Sequence, residues 1–281
     1  MNTPEFQEVL RRTGRYETDG ARRFSFADRL LGWSDAGYYL RLFRIVLAAH
    51  IAARRGRYDR KAWATSSHNT LKAVEGCGGH IVLSGLELSA GLNGPRVYVS
   101  NHMSMLETFL LPAILLSFGD VTTVVKEGLL DYPLFGVVLR ATNPIRVTRR
   151  NPRDDLKTVL GQGEAFLRQG RSILVFPQST RTPFFAPADF NTLGVKLARR
   201  AGVPVVPLAL KTDFQRNGHW VKEFGRLDRS KTVWLRFGAP IAVADTGKAA
   251  HEAIVSFISE NGRQWGGEVR VQPASDESEK A

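Results

Sequence analysis

The 281-residue chain contains one cysteine, Cys77. A single thiol excludes an intramolecular disulfide and any cysteine-cluster metal site, and it fits a reducing compartment. No metal and no cofactor are expected. Long hydrophobic runs are missing as well: no stretch reaches the ~18 uninterrupted apolar residues of a membrane-spanning helix. Residues 1–20 are polar and lack an apolar h-region, so no secretory signal is expected there. Acid is scarce, with 27 Asp and Glu against 39 Lys and Arg and a formal net charge of +12. That balance attracts polyanions such as nucleic acid, anionic lipid or phosphorylated substrates, without choosing among them. No nucleic-acid-binding module or aromatic–basic pattern accompanies the charge, so nucleic acid is not an expected partner. Repeats, low-complexity blocks and a Gly-x-Ser-x-Gly nucleophile elbow are absent too.

What is present is an ordinary globular composition, 43% apolar and 23% charged, in which short aliphatic runs alternate with helical patterns. Residues 1–35 are basic and mixed, with no clear regular structure. Over 36–64, Leu40, Phe43, Val46, Leu47 and Ile51 recur at helical spacing and predict an amphipathic helix. Seven basic residues and one acid, Asp59, lie between Arg41 and Lys61. That helix either packs its stripe on a core or lies in a membrane interface, with Trp33 and Trp63 nearby. Strands are expected at 81–83, 86–88, 96–99, 121–125, 145–147, 172–176, 203–210 and 233–237, the seventh at an edge or terminal position because of its prolines. Helices are expected at 104–118, kinked or restarted at Pro112, and at 153–169, 194–200 and 246–260. The fold class is therefore α/β: a central mixed, largely parallel sheet covered by helices on both faces, with an N-terminal amphipathic helical segment. Residues 1–75 form that basic segment, 76–265 the α/β domain, and 266–281 a polar tail expected to be disordered.

The stretch richest in chemistry follows the strand at 96–99. Asn101-His102 opens a turn, and Glu107 comes five residues after the histidine. On one ideal helix the two would diverge by about 140°. They meet if His102 sits in the turn and Glu107 in the first turn of the helix. Ser104 followed by Glu107 is also the spacing of a capping box, so Glu107 is either a helix cap or the carboxylate that orients a general base. Ser100 and Ser104 keep a serine nucleophile open as well.

Three further stretches have bland readings when taken singly. Pro144-Ile145-Arg146-Val147-Thr148-Arg149-Arg150 places cations after a short strand. Phe176-Pro177-Gln178-Ser179-Thr180-Arg181-Thr182 offers hydroxyls, an amide and a guanidinium suited to an oxyanion. Val203-Pro204-Val205-Val206-Pro207 reads as a core strand. In this order, with Asn101-His102 and Glu107 in front, the four blocks resemble the glycerolipid acyltransferase family over roughly residues 80–240. Lys126 and Pro133-Leu134-Phe135-Gly136 look like family residues too.

The resemblance implies acyl transfer from a thioester, acyl-CoA or acyl-ACP, to the hydroxyl of a lysolipid such as 1-acylglycerol-3-phosphate. The expected site is peripheral, on the cytoplasmic face of a membrane with an anionic surface. It implies His102 as general base, Glu107 as its partner, and Lys126, Arg149, Gln178, Ser179, Thr180 and Arg181 as contacts of the acceptor's anionic head. Three positions depart from the family pattern: Glu107 stands for Asp, Gln178 for Glu and Ser179 for Gly. The last two open a different acceptor, and a non-catalytic lipid-binding protein on the same fold is the alternative reading.

Overall fold

The computed structural model describes residues 1–20, 35–89, 91–178, 180–219 and 221–270. Its first element was not anticipated. Helix α1 (Thr3–Thr13) starts on a capping box between Asn2 and Glu5, stops at Gly14 with φ 67°, and buries Phe6 and Leu10. A two-residue strand, β1 (Tyr16–Glu17), follows. The helix expected over 36–64 is two helices, α2 (Ala36–Arg54) and α3 (Arg60–Gly76). The chain breaks at Gly56, φ 64°, and restarts at Asp59, whose carboxylate accepts the Ala62 N–H at 2.8 Å. Three members of the expected apolar stripe of α2 face outward: Leu40, Phe43 and Ile51 are 56%, 52% and 42% exposed, while Val46 and Leu47 are half-buried. A second stripe of the same period, Tyr38, Leu42 and Ala49, is the buried one. Periodicity alone does not say which of two helical stripes is inside.

Strand β2 (His80–Ser84) forms as expected, but 86–88 is not a strand; Leu86–Ser89 is a 3₁₀ turn. Gly85 takes φ 88°, and a Cβ there would lie 1.9 Å from the Phe237 carbonyl oxygen, so the chain must turn where only glycine fits. Then come β3 (Val97–Ser100), α4 (Leu106–Leu115), β4 (Val121–Lys126) and α5 (Phe135–Ala141). Helix α4 runs unbroken through Pro112. The Ser67 hydroxyl of α3 donates to the Leu110 carbonyl and accepts the Ala113 N–H, at 2.9 and 2.8 Å, stitching the ladder where proline weakens it. The chain continues with β5 (Ile145–Val147), α6 (Pro152–Arg168), β6 (Ser172–Val175) and α7 (Leu193–Ala201). Strand β7 (Val205–Lys211), β8 (Thr232–Phe237) and α8 (Lys248–Gln264) complete the regular elements.

The eight strands form one mixed sheet in the order β1-β2-β8-β7-β3-β6-β4-β5. The β1–β2 and β7–β8 pairs are antiparallel and the other five are parallel. The edge position expected for the proline-bearing strand is corrected: β7 is central, between β8 and β3. Pro207 pairs with Val99, and the ladder to β8 starts only at Leu208. Gly238 N–H donates to the Pro207 carbonyl at 2.8 Å, a bond that asks for no proline N–H in return.

Alternation along β3 shows why both faces are covered. Tyr98 joins Leu174, Val206 and Leu208 in a cluster with residues of α1, α2, α3 and α4. Val97 and Val99 join Ile173, Val175 and Val205 in a second cluster with α6, α7 and α8. Residues 266–270 are not disordered. Phe185 N–H donates to Glu268 O and Arg270 N–H to Phe185 O, both at 2.9 Å. Residues 271–281 and the expected Trp33 anchor lie outside the described residues.

Candidate active site

Parallel strands send their carboxyl ends to one side of a sheet, where α/β folds collect functional side chains. Here β3 ends at Ser100 just before His102, β4 ends on Lys126, β5 stops two residues before Arg149 and β6 three before Gln178. Strand β7 stops one residue before Thr212. One rim therefore gathers residues from five segments that are distant in sequence.

Asn101 closes the end of β3 against β7. Its amide donates to the Leu210 carbonyl at 2.8 Å and its oxygen accepts the Leu210 N–H at 3.0 Å. The His102 backbone is held from both sides: its N–H donates to Gln178 Oε1 at 2.7 Å, and its carbonyl accepts the Thr182 N–H at 3.1 Å. The ring stacks on Phe176 with centroids 4.4 Å apart. Its Nδ1 stands 2.9 Å from Glu107 Oε1.

Glu107 is fully buried and surrounded by donors. Oε1 accepts the N–H groups of Met103 and Ser104 at 2.6 and 2.8 Å. Oε2 accepts the hydroxyls of Ser104 and Thr212 at 2.9 and 2.6 Å. The Ser104 oxygen in turn accepts the Leu106 N–H at 3.1 Å. Glu107 thus holds the turn that precedes α4 and serves as the histidine's partner at once, while the helix's own N-cap, Met105, makes no side-chain cap. Burial alone pushes its carboxyl up, but the His102 hydrogen bond and charge and the Thr212 hydroxyl together hold it below the usual carboxylate range. An ionised Glu107 fixes the proton on Nδ1 and leaves Nε2 as the basic nitrogen.

His102 lines a cavity of about 780 Å³ together with Lys126, Arg149 and Gln178. The rest of its wall is mostly apolar, from Ile45 and Ala49 of α2, Phe109 of α4, and Phe135 and Val138 of α5. Arg149 adopts φ 58°, an uncommon conformation for a residue other than glycine. It is held there by Asp155 in the first turn of α6, which accepts the N–H groups of Thr148 and Arg149 at 2.8 and 2.7 Å.

The other expected contacts are arranged differently. Gln178 is 4% exposed, and its amide is engaged with the protein: besides the His102 N–H, its Nε2 donates to Thr182 Oγ1 at 3.0 Å. Thr180 and Arg181 face the loop after β7 instead. Lys222 Nζ lies 3.5 Å from Thr180 Oγ1, and Arg181 Nη2 is 2.7 Å from Glu223 Oε1. Ser179 lies outside the described residues. Thr212, Asp155 and Glu223 were not anticipated. Thr212 directly follows the Val-Pro strand, which was its only signal in the sequence.

Comparison with known proteins places this geometry in context. The family profile described as "Acyltransferase" matches residues 80–211. A 1-acyl-sn-glycerol-3-phosphate acyltransferase of Pseudomonas aeruginosa is 38% identical over 115 residues, covering 41% of this chain and 44% of the relative. One of Cocos nucifera is 30% identical over 168 residues, covering 60% and 52%. The chain therefore spans about half the length of these curated relatives. The crystal structure of the 1-acyl-sn-glycerophosphate (LPA) acyltransferase PlsC of Thermotoga maritima shares the fold, with a TM-score of 0.58 and 17% identity over 88% of this chain and 95% of that one.

Proposed function

We propose that this chain, which matches the acyltransferase profile over residues 80–211 and is similar to 1-acyl-sn-glycerol-3-phosphate acyltransferases, is a glycerolipid acyltransferase that transfers a fatty acyl group from a thioester to a lysolipid hydroxyl. The acceptor is 1-acylglycerol-3-phosphate or a closely related lysolipid. The observation that carries this reading is the His102–Glu107 contact of 2.9 Å at an apolar cavity whose wall also holds Lys126 and Arg149.

The chemistry follows from that pair. Nε2 of His102 takes the proton of the acceptor hydroxyl as its oxygen attacks the thioester carbonyl. The tetrahedral intermediate collapses, the carbon–sulfur bond breaks, and the thiolate takes the proton from the imidazolium. Glu107 stabilises the imidazolium between these steps. A positioned general base contributes ~10²–10⁴-fold. Lys126 and Arg149 supply cations for the acceptor's phosphate from the cavity wall, and Arg181 supplies a third once its pair with Glu223 opens. The apolar cavity accommodates acyl chain, whose length it limits by volume. The donor is acyl-CoA or acyl-ACP, and no cofactor takes part.

The acceptor reaches the site from a membrane. No helix among the described residues is long and apolar enough to cross one. The proposed attachment is peripheral, on the cytoplasmic face. Leu40, Phe43 and Ile51 of α2 offer an apolar ridge, and Arg44 and Arg54 on the same helix suit an anionic surface. The test is incubation with a panel of lysolipids and both donor types, read by mass spectrometry. One lysolipid gaining an acyl chain supports the proposal; no acylated product from any pair of substrates rules it out.

A further inference from the structure

Arg181, on the loop after β6, already has an anion. Thr182 N–H donates to the His102 carbonyl, so Arg181 stands one residue from a direct contact with the histidine backbone. Its guanidinium is held by Glu223 at 2.7 Å, with the two side chains 17% and 27% exposed. Glu223 belongs to the loop between β7 and β8, and that loop is fixed rather than loosely draped. Gln215 Nε2 donates to the Glu223 carbonyl at 3.1 Å, and the Tyr38 hydroxyl of α2 donates to Gln215 Oε1 at 3.1 Å. The Tyr39 hydroxyl donates to the Gly225 carbonyl. On either side of this anchorage Val221 and Phe224 are 48% and 66% exposed, and the Phe224 ring lies 5.4 Å from that of Tyr39. The loop thus carries Glu223 inward to Arg181 and Val221 and Phe224 outward, the latter beside Tyr39 of α2.

We propose that Glu223 is a specificity-determining residue: an internal counter-ion occupying Arg181 that an anionic acceptor headgroup must displace. The inference rests on the reading of Arg181 as an acceptor contact. Three features favour displacement over a permanent bridge. Glu223 has a single carboxylate contact at one guanidinium nitrogen, whereas a phosphate monoester brings more charge and more acceptor oxygens. Partly exposed ion pairs are individually weak. Lys222, the adjacent residue, lies at the hydroxyl of Thr180 and adds a second cation to the place the carboxylate leaves. The counter-ion therefore raises the threshold for anionic heads at this site without touching the base.

Glu223→Gln removes the competing charge and keeps the side chain's size. With the full chain at low ionic strength, KM for 1-acylglycerol-3-phosphate is expected to fall roughly three- to tenfold, with kcat moving less than KM. Calorimetry with inorganic phosphate is expected to show tighter binding by a similar factor. In an Arg181→Gln background the same substitution is expected to change neither quantity. A structural role for the pair would do the opposite: KM would rise and phosphate binding would weaken. Unchanged or raised values in Glu223→Gln, or equal gains with and without Arg181, overturn the inference. The two readings fail separately. If the wild type acylates no lysolipid yet Glu223→Gln binds phosphate more tightly through Arg181, the counter-ion stands and the acyl-transfer reading falls.

Discussion

Thr212, the residue after β7, donates its hydroxyl to Glu107 Oε2 at 2.6 Å across 105 residues of sequence. Both side chains are fully buried, so this bond ties the central strand to the acid beside His102. A hydrogen bond to a buried charged group is worth about 1.5–3 kcal/mol. Thr212→Val removes the hydroxyl at nearly constant volume and is expected to lower kcat by at least about tenfold. Thr212→Ser keeps the hydroxyl and is expected to recover most of that loss. Equal rates in the valine and serine variants would show that the hydroxyl does not position Glu107.

Gln178 connects the loop after β6 to the His102 backbone through its side-chain oxygen. Gln178→Ala leaves the His102 N–H without this acceptor and is expected to lower kcat by about ten- to a hundredfold, consistent with about 1–3 kcal/mol for an unsatisfied buried donor. KM for the acceptor is expected to stay within a few-fold, because the amide is engaged by the protein. Steady-state kinetics decide this: a large rise in KM at constant kcat would return Gln178 to the substrate.

Acid stability is expected to depend on a histidine that does not line the cavity. His68 is buried, stacks on Phe6 at 4.6 Å and lies 3.0 Å from Thr3 Oγ1. Burial, with lesser contributions from Lys72 and the chain's amino terminus, pushes it down to about 4. An unfolded chain takes up this proton near 6.5 and the folded chain only near 4, so the unfolded state binds more protons between those values. Stability is thus fully present above about pH 6.5 and declines as pH falls toward 4, by about 3 kcal/mol from this group. Urea unfolding at pH 7 and pH 4.5 should show a smaller decline in His68→Gln than in the wild type. Identical declines would assign acid lability elsewhere.

The order of strands and helices was largely legible because β3, β6 and β7 are buried throughout and therefore read as largely apolar runs. The His102–Glu107 pairing was legible as geometry, since a turn followed by the first helical turn brings positions five apart together. The role of Gln178 was not. A polar side chain after a strand reads equally as a ligand for substrate or as a bracket for backbone, and its bond to the His102 N–H shows only in three dimensions. Thr212 and Glu223 depend on contacts made across the sheet end, which leave no periodic trace. Helix α1 was hidden because its single buried pair, Phe6 and Leu10, is too short a stripe to stand out among arginines.

Attachment through α2 predicts a vesicle phenotype. Replacing Leu40 and Phe43 together by serine exposes less apolar surface and is expected to weaken sedimentation with anionic vesicles by about tenfold or more, given about 1.5–3 kcal/mol per apolar side chain fully buried. The remaining binding should weaken further with added salt. Unchanged partitioning of the double variant would remove α2 from the membrane contact.

The central claim is that His102 is the base for acyl transfer. The most direct measurement is single-turnover acylation of 1-acylglycerol-3-phosphate by the wild type and by His102→Gln, with folding of the variant checked by circular dichroism. The account predicts a chemical step slowed by about 10²–10⁴-fold while the acceptor still binds. A folded His102→Gln protein that transfers the acyl group at the wild-type rate would contradict it.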